Sequence, residues 1–298
     1  MGIDEQLKKV FNPDPRIQEI QSELFYEFKQ ALQFWNQLMV LMQQSRTKTK
    51  IKGLLFTSPP DSGKSTLVNQ FQYEYSKNVP DASANDIFIF SVPQGVGAVH
   101  VFAQLCRELG IPDIPVNPRN YPITHFVKKA AAKLAQDHKL LIIDEFQNLM
   151  EIPGVLRKKI LSSLNQLNNN CRIPIVIVGL TGNDKMLNEI EEDVSDLKET
   201  FGSRFIEFTL DPWTDNDEFK GLLATINEDL HLNTEDNNPP FYMNNIIREK
   251  IIVYTQGLLG RIVTLLKTTA VKIIEEGLSE KITLDILEKV ARYLKYIK

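Results

Sequence analysis

The chain has few cysteines and no excess of basic residues. Two cysteines among 298 residues are too few for a disulfide framework, and alone they cannot form a zinc site. Lysine and arginine together number 34, aspartate and glutamate 38, and the resulting formal charge of −4 excludes a broadly basic surface. We therefore expect any contact with nucleic acid to be local, and the cysteine content fits a reducing cytoplasm.

Long apolar runs and a targeting segment are lacking as well. The richest apolar stretches, such as residues 173–180, are far shorter than the roughly 20 residues that cross a bilayer. The N-terminus has early acidic residues and no apolar run, and Gln6 stands where a myristoylation signal has serine or threonine. We expect a soluble protein without membrane contact, whose hydrophobic fraction of 43% is sufficient for a core.

Apolar runs alternate with helical patterns from residue 51 to residue 212. Strands are predicted at 53–57, 87–92, 140–144, 173–179 and 205–210. Helices are predicted between them at 64–76, 98–109, 123–137, 153–168 and 183–199. Strands that are apolar throughout and alternate with helices predict an α/β fold, with a parallel sheet covered on both faces.

Only helical patterns precede and follow this region. Residues 15–44 have amphipathic spacing, for which packing is the simpler interpretation. Later helices are predicted at 215–230, 243–255, 258–276 and 283–296. We thus predict an N-terminal helical segment (1–50), an α/β core (51–212) and a C-terminal helical subdomain (213–298).

Residues 58–65 lie between a predicted strand and a predicted helix and form a P-loop, with Ser58 where the motif usually has its first glycine. Backbone N–H groups at a helix start favour phosphate, Lys64 would reach the β- and γ-phosphates of ATP, and the Ser65 hydroxyl would complete a Mg²⁺ shell. The predicted nucleotide-binding residues are Ser58, Pro59, Pro60, Asp61, Ser62, Gly63, Lys64, Ser65, Thr66 and Asp144.

Two acidic residues end the third predicted strand, Asp144 and Glu145. At the carboxyl end of a parallel strand beside a P-loop, Asp144 can hold the magnesium ion through water. Glu145 can then polarise the attacking water. Two acids after a strand are ordinary helix-start residues in most proteins, but after a P-loop they indicate a nucleotide-hydrolysing site.

These motifs and the helical C-terminal region resemble the AAA+ ATPases. Three later segments are similar to the sensor 1, arginine-finger and sensor 2 segments of that family, namely residues 175–181, 201–205 and 257–261. The resemblance implies a P-loop AAA+ core and an all-helical lid. It implies catalytic roles for Arg204, for Arg261 and for Thr181 in sensor 1. The family's sensor 1 strand commonly ends in Val-Gly-Thr, whereas here Leu180 separates Gly179 from Thr181, so Asn183 is the alternative sensor residue.

Details of the C-terminal half resemble the TniB/TnsC transposition regulators: the run at 203–213, the Glu218-Phe219 pair and the Gly-x-x-Gly helix. This resemblance covers roughly residues 20–298 and implies a bacterial, cytoplasmic adaptor in transposon target selection. Such an adaptor oligomerises on duplex DNA, as a ring or a filament, and has a transposase and target-selector proteins as partners. ATP would lie between subunits, held by Lys64 and Arg261 of one protomer and Arg204 of the next.

In that family, DNA contacts come from the loop after the second strand and from the next loop between helices, here residues 94–97 and 117–120. The first loop has no lysine, although its glycines offer backbone N–H groups. Arg119 is therefore the main candidate for a phosphate contact, followed by Lys48 and Lys50. Few contacts per subunit suffice, because an oligomer repeats them along the duplex.

Two other functions share most of these motifs. A helicase-loader or secretion-type AAA+ ATPase would remodel a protein partner instead. A nucleotide-gated assembly module would hydrolyse negligible ATP, and Glu145 argues against it, since a binding-only module has no need of a water-polarising acid.

Overall fold

The predicted parallel sheet is present in the computed structural model, which describes residues 14–22, 24–44, 51–151, 154–180, 205–232 and 239–298. The described residues form five strands: β1 (Gly53–Ser58), β2 (Ile87–Ser91), β3 (Leu140–Asp144), β4 (Ile175–Leu180) and β5 (Phe205–Thr209). Their order is β2-β3-β4-β1-β5, and every neighbouring pair is parallel. The prediction of the sheet is confirmed.

Ten α-helices occur in the same described ranges. Five lie before β3: α1 (Pro15–Gln21), α2 (Lys29–Met42), α3 (Lys64–Asn78), α4 (Ala98–Glu108) and α5 (Ile123–Asp137). The others are α6 (Gly154–Cys171), α7 (Asp217–Asp229), α8 (Asn245–Thr255), α9 (Leu259–Glu276) and α10 (Leu284–Tyr293). The helix predicted at 183–199 lies outside the described residues. None of the helices in these ranges combines the length and the hydropathy needed to cross a membrane.

Strand β1 shows why the central strands are apolar at every position. It pairs with β4 on one side and β5 on the other, and all six of its residues are buried. Successive side chains of a strand point to opposite faces of the sheet. Leu55 belongs to the cluster formed with α4, α5 and α6, whereas Phe56 packs against Phe34 of α2 with ring centroids 4.5 Å apart. Helices therefore cover both faces, as predicted.

The chain divides into two compact units. The sheet unit comprises residues 30–60 and 64–210, and the helical unit comprises residues 1–29, 61–63 and 211–298. The boundary between residues 210 and 211 lies two residues before the predicted one between residues 212 and 213. The predicted N-terminal segment is shared differently: α1 belongs to the helical unit, while nearly all of α2 belongs to the sheet unit.

Polar contacts attach α1 within the helical unit. Arg16 of α1 donates to Glu280 at 3.0 Å and to its own N-cap residue Asp14 at 2.9 Å. Lys267 of α9 donates to the Ser22 carbonyl at 2.6 Å. The buried residues Ile17 and Ile20 add apolar contact, so α1 is an integral part of this unit.

Candidate active site

The P-loop joins β1 to α3, and both of these elements belong to the sheet unit. Lys64, the first residue of α3, donates its ammonium protons to the carbonyl oxygens of Ser58 at 2.9 Å and Pro59 at 2.7 Å. Ser58 is fully buried and donates its hydroxyl to the Leu210 carbonyl at 3.2 Å. The serine that replaces the usual glycine thus ties the end of β1 to the end of β5.

Ser65 and Asp144 are brought together by the sheet. The Ser65 hydroxyl donates to Asp144 Oδ2 at 2.8 Å, although the two residues are 79 positions apart in sequence. Strand β1, which leads into the P-loop, and strand β3, which ends at Asp144, flank β4 and end at the same edge of the sheet. Asp144 is buried, and its second oxygen accepts the Glu145 backbone N–H at 2.8 Å. A hydroxyl and a carboxylate are oxygen ligands of the kind that Mg²⁺ takes, usually with several waters and the substrate's phosphates, so these residues fit the predicted ion.

Glu145 has an unusual backbone conformation and a polar neighbour that is not among the residues predicted from the sequence. Its φ is +56°, a region that costs a residue with a side chain on the order of 1 kcal/mol. Its carboxylate accepts a hydrogen bond from the side-chain amide of Gln147. The sequence carries a signal for this contact, since an amide two residues after an acid at a strand end is within reach of it.

Arg261 lies near the start of α9, in the helical unit. Its Nε donates to Asp61 Oδ2 at 3.1 Å and its Nη1 to the Gln256 side-chain oxygen at 3.2 Å. The Gly260 N–H donates to the Asp61 carbonyl at 2.8 Å, and a Cβ on Gly260 would lie 2.6 Å from that oxygen. Glycine before Arg261 is thus required by close approach to Asp61, which belongs to the predicted nucleotide-binding set.

The remaining predicted site residues differ in exposure. Ser62 is buried, whereas Pro60, Asp61, Ser65 and Thr66 are exposed, as a substrate site requires. Lys48, Lys50, Thr181, Asn183 and Arg204 lie outside the described residues. The catalytic roles of Thr181, Arg204 and Arg261 stay predictions.

A second candidate site lies in the sheet unit, where the starts of α4 and α5 meet one side of α6. This α4–α5 pocket has a volume of about 630 Å³. The predicted residue Arg119 lines it, together with polar residues that were not predicted from the sequence. These include His100, Thr124, Lys159, Ser162, Ser163 and Gln166.

The α4–α5 pocket is electropositive. The N-cap residues of α4 and α5, Gly97 and Pro122, make no side-chain hydrogen bond to the first turn. The N–H groups of His100 and His125 donate to the N-cap carbonyls, so only the N–H groups of the first two residues of each helix stay available to an anion. Neither Arg119 nor Lys159 has an ion-pair partner within the described ranges, and no described lining residue is acidic. Ser163 is only 7% exposed, and among the described residues its hydroxyl has no hydrogen-bond partner. These features together suit a phosphate group.

Solved structures with the same architecture come from several organisms. The ORC2 protein of Aeropyrum pernix, in ADPNP and ADP complexes, matches with a TM-score of 0.63 at 16% identity, over 94% of this chain and 72% of that chain. The ORC1 protein of Aeropyrum pernix in complex with DNA matches with a TM-score of 0.60 at 13% identity, over 96% of this chain and 69% of that chain. Domain III of the Thermotoga maritima replication initiation protein DnaA matches with a TM-score of 0.55 at 14% identity, over 96% of this chain and 98% of that chain. These similarities show that the chain has the AAA+ fold.

A protein-family model described as bacterial TniB protein matches residues 16–215. The chain belongs to the TniB family. The family match includes the P-loop, Asp144, Glu145 and the α4–α5 pocket, and it ends before Arg261. A comparison with curated protein sequences finds no match. The TniB assignment confirms the resemblance found in the sequence.

Proposed function

We propose that this TniB family member hydrolyses ATP to ADP and phosphate, and that the ATP cycle controls its assembly on duplex DNA and its recruitment of a transposase to a target site. The observation that carries the ATPase proposal is the convergence of Lys64 and Ser65 with Asp144 and Glu145 at one edge of the sheet. A cation, a hydroxyl and two carboxylates are the groups that P-loop phosphoryl transfer uses.

Each of these side chains has a distinct task in the proposal. Lys64 exchanges its contacts with two neutral carbonyls for phosphate oxygens, because a hydrogen bond between two charged groups is stronger. Ser65 and Asp144 hold Mg²⁺, which when bound neutralises charge on the phosphate oxygens. Glu145 accepts a proton from water as the water oxygen bonds to the γ-phosphorus and the bond to ADP breaks.

Arg204 is proposed to complete the site across a subunit interface. Arg204→Ala should leave nucleotide affinity of the isolated protomer unchanged and lower hydrolysis by about 10³-fold, since an arginine finger acts on the transition state. Mixing this variant with Glu145→Gln should restore part of the activity, because one protomer then supplies the finger and the other supplies the base. We would measure steady-state hydrolysis at several mixing ratios. No recovery in confirmed mixed assemblies would mean that Arg204 acts on ATP bound by its own subunit.

The α4–α5 pocket is the proposed contact with DNA phosphates. Two uncapped helix starts, Arg119 and Lys159 supply the donors for one backbone phosphate per subunit. Repetition along an oligomer multiplies such contacts, which reconciles DNA binding with a net charge of −4. The similar ORC1 protein was solved in complex with DNA, which supports DNA binding in general and says nothing of this pocket.

Charge reversal in the pocket tests this contact. Arg119→Glu and Lys159→Glu should each weaken binding to all duplex sequences alike, and the salt slope should fall by about 0.9 for each phosphate that is no longer neutralised. Binding would be measured by salt titration at saturating ATP. Lys128→Glu is the matched control, an exposed lysine of α5 outside the pocket lining. Equal weakening by all three variants would show that the pocket has no special role.

Electron microscopy of the chain with a non-hydrolysable ATP analogue and duplex DNA tests the adaptor proposal as a whole. A ring or helix of subunits threaded by DNA is the expected result. Assemblies that never contain DNA, together with hydrolysis that is indifferent to DNA, would favour a remodeller of protein partners.

A further inference from the structure

Helix α8 exposes large apolar side chains along one face. Ile246 and Val253 lie seven positions apart on this face, and Met243 extends it just before the helix begins. These three side chains are 51% to 64% exposed, whereas Ile247 and Ile251 on the inner face of α8 are buried. Single exposed apolar residues are ordinary on a protein surface, but a row of them marks an interaction site. We call this row the α8 stripe.

Cationic residues lie beside the α8 stripe. Lys250 belongs to the same outer face of α8, and its ammonium group is 5.9 Å from the centroid of the Tyr254 ring. Burial raises the pKa of Tyr254, and the charges of Glu288 and Arg292 on α10 also act on it, so α10 adjoins this side of the stripe. Glu288 and Arg292 form an ion pair at 2.6 Å, whereas Lys250 has no ion-pair partner among the described residues.

Basic residues also predominate at the end of α10 and after it. Residues 289–298 contain no acidic residue and four basic ones: Lys289, Arg292, Lys295 and Lys298. The helix dipole favours cations in the last turn of a helix, but it does not account for Lys250 in the middle of α8. Glu249 lies on the other side of the stripe, because consecutive residues of a helix are about 100° apart around its axis. The two sides of the α8 stripe thus differ in charge.

We propose that the α8 stripe and the cations beside it form a docking surface for an acidic amphipathic helix of another protein. Met243 and Val253 are ten positions apart, about 15 Å at the rise of an α-helix, so about three turns of a partner helix can lie along the stripe. Apolar side chains of that helix bury the stripe, and its carboxylates meet Lys250 and Arg292.

This inference adds a surface and a partner chemistry to the recruitment proposed above, and it rests on that proposal only for the existence of a partner. The surface lies entirely in the helical unit and beyond residue 215, where the family match ends. Its residues belong neither to the predicted nucleotide-binding set nor to the α4–α5 pocket.

Nucleic acid fits this surface less well than a protein helix does. Phosphates would pair with the cations, but they would leave the α8 stripe without an apolar partner and would lie near the carboxylate of Glu249. Methionine, tyrosine and arginine are enriched in the cores of protein interfaces, and Tyr293 beside Arg292 is 73% exposed. The combination of an apolar row and a cationic side therefore favours a protein partner.

A peptide library displayed on phage tests the chemistry of this partner. Each peptide has about 16 residues, long enough to form a helix, with leucine along one helical face and a random choice of Glu, Lys, Gln or Ser elsewhere. The immobilised target is the full-length chain. Enriched peptides should carry glutamate beside the leucine face, and their binding should weaken as the salt concentration rises. No enrichment, or enrichment of lysine, would overturn the proposal.

Val253→Ser and Lys250→Glu locate the docking surface. Each should weaken binding of an enriched peptide by about tenfold, since one loses apolar burial and the other reverses a complementary charge. Val40→Ser and Lys77→Glu are the matched controls: Val40 of α2 is 65% exposed, and Lys77 of α3 lies 5.6 Å from the centroid of the Tyr73 ring. The controls should bind the peptide as the parent does. Unaltered binding by both α8 variants, or equal weakening by the controls, would refute the assignment.

The same α8 variants distinguish a partner surface from an interface between copies of this chain. Their assembly with a non-hydrolysable ATP analogue and duplex DNA, followed by mass photometry, should match that of the parent. Loss of assembly in Val253→Ser would show that a second copy covers the stripe, and the proposal would then fail. Peptide binding is measured without ATP or DNA, so absence of ATP hydrolysis by the parent chain would refute the proposed function and leave the docking surface standing.

Discussion

Lys64→Ala should weaken ATP binding so far that concentrations just sufficient to saturate the parent protein leave the variant largely unbound. The ammonium group lies 2.7 to 2.9 Å from two carbonyl oxygens of the P-loop, so it is already held at the loop that would enclose the phosphates. Removal of a partner from a close charge pair costs about 2–5 kcal/mol. Affinity should therefore fall by about 30-fold or more, and assembly on DNA should fail with it.

Nucleotide titration followed by calorimetry measures this effect directly. Lys77→Ala is the matched control, because Lys77 is an exposed lysine in the last turn of the same helix α3. The control should bind ATP as the parent does. Parental affinity in a folded Lys64→Ala protein would remove the P-loop assignment and, with it, the proposed ATPase.

Glu145→Gln should have the opposite pattern, with binding retained and chemistry abolished. The substitution keeps the size of the side chain and removes its ability to accept a proton. A general base contributes roughly 10²- to 10⁴-fold to a rate, and single-turnover hydrolysis should fall by at least the lower of these factors. DNA-bound assemblies should persist longer, since ATP remains in place.

The control for this variant is Glu108→Gln, an exposed acid of α4 that the proposal gives no catalytic role. It should hydrolyse ATP at the parental rate. A parental single-turnover rate in Glu145→Gln would mean that Glu145 has no catalytic role at the end of the strand. The chain would then belong to the class of nucleotide-gated assembly modules. The Lys64 and Glu145 variants thus separate failure of binding from failure of chemistry.

Local patterns in the sequence are sufficient to predict the sheet and the residues of the candidate nucleotide site. They predict strand β3 at its observed bounds and the P-loop at the β1–α3 junction, because both depend on runs of neighbouring residues. A fully apolar run favours a central strand, and the order of residues 58–65 specifies a phosphate-binding turn. The TniB family can be recognised from the same kind of local pattern.

Other features depend on how distant parts of the chain pack. Arg261 and Asp61 are 200 positions apart, and no periodicity relates them. Lys159 and Ser163 are ordinary residues of a helical pattern, and they join Arg119 in one pocket only because α5 packs between α4 and α6.

The sequence by itself determined the parallel sheet and most of the helices, and it marked Lys64, Ser65, Asp144 and Glu145 as candidate site residues, since backbone propensity and short motifs act over a few residues. Only the tertiary structure decided that Asn148 binds Val92 and that the starts of α4 and α5 face one pocket. The physical reason is that side-chain contacts depend on which faces of the elements meet. That choice is made by burial summed over the whole core, rather than by any local segment.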